Sequence, residues 1–306
     1  MFFGLSALIL TGLSWCTTGV ITANAHKKGL SISMVLFIGC IFFCIACVIG
    51  LAVNGELQQT PASVNWAVFA ICASAGILNN LALELTARMM SCGPQGISWA
   101  IFQSGMIFPF IMGISFFGEE LTIINGTGMV LMLTALLLFG LAKDNGGKKS
   151  NLRWVLLGIL AFTINGINVA LINLPSFIEG LRGTSPLLRA LSASTGLVIG
   201  AALFEEFHTP GKLTAEVIKA CRNPTLWLYV GIQQPIRIIV QFFLMFQGMN
   251  FMAEHGLGNA AYPIMVITNV GGVMLYGIFF GKDRLTPMQA IGLVFCLLGI
   301  VGLSVG

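Results

Sequence analysis

An all-α membrane protein of ten transmembrane helices, built as two inverted five-helix repeats with both termini outside, is the fold class this sequence predicts. Three observations carry it: apolar stretches of spanning length, a one-sided distribution of basic residues, and two halves that match each other. A span needs about 20 apolar residues to cross a hydrocarbon core of about 30 Å. The windows that can do so are Met1–Ala25, Leu30–Val53, Trp66–Met90, Gly93–Gly118 and Leu121–Ala142, then Trp154–Ile178, Ser185–Phe204, Leu226–Ala253, Leu257–Phe280 and Leu285–Gly306. Composition agrees, with 57% hydrophobic and 8% charged residues. Soluble chains carry about 25% charged residues, and could not hide that much apolar surface.

The charges orient the spans. Twelve basic residues fall in alternate connections: Lys27, Lys28, Arg88, Lys143, Lys148, Lys149, Arg153, Lys212, Lys219, Arg222, Lys282 and Arg284. The opposite connections hold Glu56, Glu119, Glu120, Glu179 and Glu254, with Arg182 as their one basic residue. Basic residues near span ends mark the cytoplasmic side, so the twelve are expected inside. The net charge of +4 is accounted for by this bias and calls for no nucleic-acid partner. No basic stretch precedes the first apolar run, so a cleaved signal peptide is not expected. The longest hydrophilic connection, Glu205–Asn223, is too short for a soluble domain and reads as a surface-lying connector with a short amphipathic helix. Trp66, Trp154 and Trp227 sit at span ends as interface anchors.

Comparison of the two halves at a shift of 154 pairs Gly4 with Gly158, Ala7 with Ala161 and Gly12 with Gly166. The same shift sets Lys28-Gly29-x-Ser31 against Arg182-Gly183-x-Ser185. Further on, Gly-Ile-Ser-Phe-Phe-Gly-Glu-Glu-Leu-Thr from Gly113 matches Gly-Ile-Phe-Phe-Gly-Lys-Asp-Arg-Leu-Thr from Gly277, a helix break and restart at matched places. The expected division is a first repeat over 1–143, a cytoplasmic linker over 144–152 and a second repeat over 153–306. Five spans per repeat is an odd number, so the repeats insert with opposite orientation. Inverted repeats are the build of alternating-access transporters, with the substrate held at the bilayer midplane between them.

Two five-span repeats, a fourth span ending in Gly-Glu-Glu-Leu-Thr and a glycine-punctuated last span resemble the drug/metabolite transporter (DMT, EamA-like) superfamily over the whole chain. Three stretches are similar to the L-rhamnose–proton symporter family: His26-Lys27-Lys28, Asn80 with Leu85-Thr86-Ala87-Arg88, and Gln241-Phe242-Phe243 with Gly248. That resemblance implies carbohydrate symport in a bacterial cytoplasmic (inner) membrane.

Polar groups inside a span are costly and face the bundle interior. They concentrate at the centres of six spans, and the candidate substrate-binding set is Trp15, Asn79, Asn80, Gln103, Asn165, Asn168, Gln234, Arg237, Gln241, Tyr262 and Asn269. Ser14, Ser104 and Gln233 lie at the same depths. The alternative for each amide is a bond across helices worth roughly 1 kcal/mol. Arg237 lies about twelve residues into its span, near 18 Å deep at about 1.5 Å per residue, beyond the reach of snorkelling. Pro235 beside it removes a backbone donor and kinks the helix. Its expected partners are Glu84, the one carboxylate well inside a span, or the substrate itself. Glu84 is also the candidate proton-coupling group. Arg189, a turn inside its span, can snorkel outward and reads as structural. Pro109 and Pro263 are candidate kinks.

These residues predict a secondary active transporter for a small polar organic solute, first a sugar such as rhamnose moved with a proton. An exporter of amino acids, drugs or other metabolites is the alternative, and a membrane-embedded transferase a remote one. Catalysis is not expected, because His26, His208 and His255 lie in different connections. Cys40, Cys44 and Cys47 share a helix face without His or carboxylate nearby, which suits packing rather than a metal site. No cofactor is expected, and without a GxxxxGK[ST] sequence no ATP drive or ATPase subunit is implied. The expected partners are the solute, a coupling proton or sodium ion, and the bilayer.

Overall fold

The computed structural model describes residues 2–56, 60–118, 120–141, 152–254 and 258–305. The expected linker 144–152, with Lys148 and Lys149, lies outside them except for residue 152, as do Lys143, Glu119 and His255. The described chain is helical, without strands. Its elements are α1 (Phe2–Ala25), α2 (Ile32–Asn54), α3 (Ala62–Cys92), α4 (Gln95–Gln103), α5 (Ile107–Phe117), α6 (Ile123–Leu141), α7 (Leu152–Phe177) and α8 (Pro186–His208), followed by α9 (Leu213–Arg222), α10 (Pro224–Ile239), α11 (Phe246–Glu254), α12 (Gly258–Phe279) and α13 (Pro287–Val305). Six rods are long and apolar enough to cross a membrane: α1, α2, α3, α4 with α5, α7 and α8. Shorter apolar helices accompany them in α6, α12 and α13.

Where the expected spans are interrupted, proline is nearby. The fourth is divided by a 3-10 turn, Ser104–Met106, which lies just before Pro109. A proline has no N–H for the carbonyl four residues earlier, and its ring clashes with it. The eighth divides into α10 and α11 at a π turn, Val240–Met245, shortly after Pro235. This break keeps either piece below spanning length, the physical reason that window is not a continuous apolar helix.

Caps punctuate both halves alike. Ser31 accepts from the Met34 N–H at the start of α2, and Ser185 accepts from Leu187 and Leu188 at the start of α8. Thr122 accepts from the Asn125 N–H ahead of α6, and Thr286 exchanges bonds with Gln289 ahead of α13. The Leu-Thr pairs noted in sequence are therefore helix starts. The carbonyls of Gly113 and Gly277 receive the closing bonds from Gly118 and Asp283.

Much of the packing is preserved when the halves are exchanged. Matching α1 with α7, α2 with α8, α3 with α10–α11, α4–α5 with α12 and α6 with α13, the larger contacts have counterparts, whereas those of α12 with α13 and of α1 with α3 do not. Helix α1 lies on α12, and α7 on α4–α5; α3 lies on α7 and α8, while α10–α11 lies on α1 and α2. Three helices pack on their own counterparts, α2 on α8, α4 on α12 and α6 on α13. The α2–α8 pair is antiparallel, because Ser31 donates to Glu205 at one end and Ser185 to Glu56 at the other. Close approach depends on glycine. A Cβ on Gly196 would strike the Ala73 carbonyl of α3, and one on Gly76 the Ala193 carbonyl of α8. Gly128, Gly299 and Gly302 do the same between α6 and α13, the small-residue contact by which helices associate in lipid.

The bundle has two ends. At the Ser185 end lie residues 55–56, 60–61, 118, 120–122 and 178–185; at the Ser31 end lie 26–31, 92–94, 209–223 and 280–286, so the described basic connections collect there. Helix α9, expected as a surface connector, turns Leu213, Val217 and Cys221 onto the core. Trp66 and Trp227 are exposed, as interface anchors would be. Trp154 is not: it is 4% exposed and donates from Nε1 to Ser98 Oγ at 3.0 Å. Its position at the helix start suited an anchor, but the turn at Gly93 folds over its ring.

Candidate functional site

A cavity of about 700 Å³ enters the bundle from the Ser185 end. Its mouth is made by Arg182 and Thr184 of the connection before α8, with Ser176 of α7 and Arg189 of α8. Its floor is Leu36, Leu83 and Leu197, from α2, α3 and α8. From Pro186 to Leu197 is eleven residues of helix, or about 16 Å, so along α8 the cavity descends about half of a hydrocarbon core, while Leu36 lies near the start of α2 at the opposite end.

The walls differ. Trp15 of α1, Met245 of the π turn, Met249 of α11 and Met265 of α12 form one sulfur-rich side, continuous with buried Leu8 and Met252. Asn79, Asn173, Gln233 and Arg237 supply polar groups from α3, α7 and α10. Gln233 donates to Thr18 at 2.9 Å, tying α10 to α1. Arg237 is partly buried; its guanidinium lies 4.1 Å from the Phe43 ring centre. It also reaches Cys40 Sγ at 3.6 Å and Ser194 Oγ at 3.4 Å.

Beneath the floor, polar groups pair across helices. Glu84, 1% exposed, accepts from the Ser33 N–H and Ser33 Oγ, both at 2.8 Å, and Asn80 donates to Ser33 Oγ at 3.2 Å. A carboxylate there complements the partial positive charge at the start of α2. Farther out are the Ser31–Glu205 contact, Asn24 with Tyr276 at 2.8 Å, Arg88 with His208 at 3.0 Å, and Gly96 N–H with Asp283 at 3.0 Å. Each joins elements distant in sequence.

Of the candidate binding residues, Trp15, Asn79 and Arg237 line the cavity. Asn80 belongs to the paired groups beneath the floor. Asn165 donates to the Phe102 carbonyl at 2.7 Å, a bond that holds α7 to α4, and Asn168 donates to Asn165 within α7 at 3.1 Å. Asn269 accepts from Trp99 at 3.1 Å, joining α12 to α4. Gln234 is buried against Gly39, and Gln103 is half-buried away from the cavity lining. The side chains of Gln241 and Tyr262 lie outside the described residues. Arg237 and Glu84, expected as possible partners, bond to different groups.

Sequence reasoning passed over Asn173, Thr18, Ser176 and the methionines. Hydroxyls and methionine carry little signal in an apolar span, because a hydroxyl can bond back to its own helix. Arg189, read as snorkelling outward, reaches toward the connection at that end and so lines the mouth: it donates to Ser176 Oγ at 2.7 Å, Thr184 Oγ1 at 3.1 Å and two loop carbonyls at 3.3 Å.

No protein-family profile matches the chain, and no curated protein does. Eleven chains of solved structures match. One of them, described only as "Crystal structure of protein", has a TM-score of 0.54 at 12% identity, over 98% of this chain and 97% of that one. At that identity the likeness is one of fold, and it extends from end to end of both chains.

Proposed function

We propose that this protein is a secondary transporter for a small polar organic solute, working by alternating access in a cytoplasmic membrane. The observation that carries the reading is a cavity entered from one end of the bundle, with polar contacts pairing helices toward the other end, in a bundle whose larger helix contacts recur when its halves are exchanged. Such a bundle has two similar arrangements available, and the solute binds where both can reach it. Ten spans in two inverted repeats, 1–143 and 153–306, account for the exchange. With the basic end inside, both termini are outside and the cavity opens outward.

In this reading the contacts of Ser31, Ser33, Asn80, Glu84 and Glu205 form the closed inner gate. Opening the inner side breaks them, and Glu84 takes a proton in the cycle. Import of a sugar such as rhamnose with a proton is the version that the sequence resemblance supplies.

The test uses purified protein in proteoliposomes. Counterflow of a labelled solute, dependent on solute inside and independent of ATP, is the expected result. In a cysteine-free background, Ala193→Cys should react with a membrane-impermeant thiol reagent added outside intact cells, while a cysteine at Lys212 should not. Labelling of the Lys212→Cys protein alone would reverse the topology. Absence of counterflow for any of a panel of sugars, acids, amines and amino acids would sink the transport reading.

A further inference from the structure

The cavity's chemistry is that of an anion site with an apolar wall. Three arginines line it, Arg182, Arg189 and Arg237, and no Asp or Glu is among the described lining residues. The nearby Glu56 takes the hydroxyl of Ser185. Among the described residues no carboxylate pairs with Arg237 or Arg189.

The two arginines on the α8 side differ in how firmly they are held. Arg189 directs Nε, Nη1 and Nη2 into the surrounding mouth. It contributes positive potential there, with its donors already engaged. Arg237 is held loosely. Its bonds are a 3.6 Å contact to the weak acceptor Cys40 Sγ and a 3.4 Å contact to the Ser194 hydroxyl, the latter long against about 2.9 Å for an ordinary N–H to oxygen bond. A guanidinium has five N–H donors, and its fork matches a carboxylate bidentately. The Arg237 Cζ lies over the Phe43 ring, 4.1 Å from its centre, a contact between cation and ring face that need not consume the N–H donors.

Small side chains keep the approach clear. Ala190 and Ala193 of α8 line the path between Arg189 at the mouth and the level of Ser194, where Arg237 reaches α8. That path is about 7 Å along the helix. The other wall is Trp15 with Met245, Met249 and Met265. Methionine adapts to irregular apolar shapes and contacts aromatic rings favourably.

From this arrangement we infer that the solute is an amphipathic organic acid: a carboxylate without a neighbouring ammonium group, joined to an aliphatic or aromatic body. The inference rests on the transport reading and names the substrate class of that cavity. Arg237 binds the carboxylate, and the body lies on Trp15 and the methionines. An amine or amino acid brings a positive charge among three arginines with no described carboxylate to receive it. A sugar leaves the guanidinium without a counter-charge and meets thioethers where hydroxyl partners are needed.

Matched probes test this on purified protein. The set is 3-phenylpropionate, 3-phenylpropanamide, phenethylamine, phenylalanine and L-rhamnose, measured by tryptophan fluorescence titration and by counterflow in proteoliposomes. The expected result is that 3-phenylpropionate binds at least tenfold more tightly than its amide and alone exchanges. Arg237→Gln should weaken it at least tenfold, and Arg237→Lys should restore part of the loss. Should Arg237→Gln fail to fold, the acid–amide ratio in the native protein decides by itself. Preference for L-rhamnose, phenethylamine or phenylalanine, or equal binding of acid and amide, overturns the inference and leaves a transporter standing. Silence of all five probes in both assays counts against the inference. Failure of the broader counterflow panel is what counts against transport.

Discussion

Helix α3 and the α10–α11 rod hold equivalent places in the two halves, but they were put to different uses. Helix α3 runs unbroken for 31 residues. Its counterpart contains Pro235 and a π turn at Val240–Met245. Each carries a charged residue inside the bundle, Glu84 beneath the cavity floor in one and Arg237 in the cavity wall in the other. Glu84 is buried against the first turn of α2. Arg237 is half-open to the cavity with long, weak bonds. A regular helix packs its polar residue against a neighbour. A broken helix cannot pack as closely, and π turns are frequent at functional sites for that reason. In the proposed transporter, one member of the pair is the lock and the other the binding group.

Four substitutions sharpen or break this contrast. Arg237→Gln has the largest expected effect: uptake should fall about a hundredfold, the loss of one charged hydrogen-bonding group worth about 3 kcal/mol, with unchanged expression and monodispersity. Unimpaired uptake by that protein would place the site elsewhere. Glu84→Gln should be more selective. Counterflow of labelled solute should persist while accumulation driven by a pH gradient disappears; continued accumulation would remove Glu84 as the proton carrier and favour sodium coupling or uncoupled exchange.

Smaller effects follow at the edges of the two regions. Ser33→Ala takes a hydroxyl from Glu84 and Asn80, and should lower stability by about 1 kcal/mol, read as an earlier thermal transition in detergent. A stability unchanged by that substitution would mean the packing beneath the floor does not depend on the Glu84 cluster. Arg189→Gln should be mildest, a rise in KM of about threefold from the lost potential at the mouth, more evident at low salt because exposed charges are screened. A kcat collapse at Arg189 would make it a binding group equal to Arg237.

Several features were legible before any coordinates. The windows from Leu30 to Val53 and from Trp154 to Ile178 correspond to α2 and α7 within a few residues, because hydropathy is a property of the local chain. Ser31, Ser185, Thr122 and Thr286 were visible as matched positions, and their capping roles follow from residue type. The interruption of the eighth window was signalled by Pro235. By contrast, Trp154 had every sequence mark of an interface anchor and is buried, since only the fold brings the Gly93 turn across it.

Asn79 and Asn80 show where the limit falls. They are adjacent and chemically identical, and on a helix of 3.6 residues per turn they point about 100° apart. One lines the cavity; the other bonds to Ser33 below it. Sequence determined that α3 carries two amides, that basic residues gather at alternate connections, and that matched glycines and Leu-Thr pairs recur in the two halves. Only the tertiary structure decided which amide faces open space, that Asn165 and Asn269 hold helices together, and which groups at the mouth Arg189 meets. Composition and periodicity fix how far a residue lies along its helix, whereas the direction it faces is set by neighbours far away in the chain.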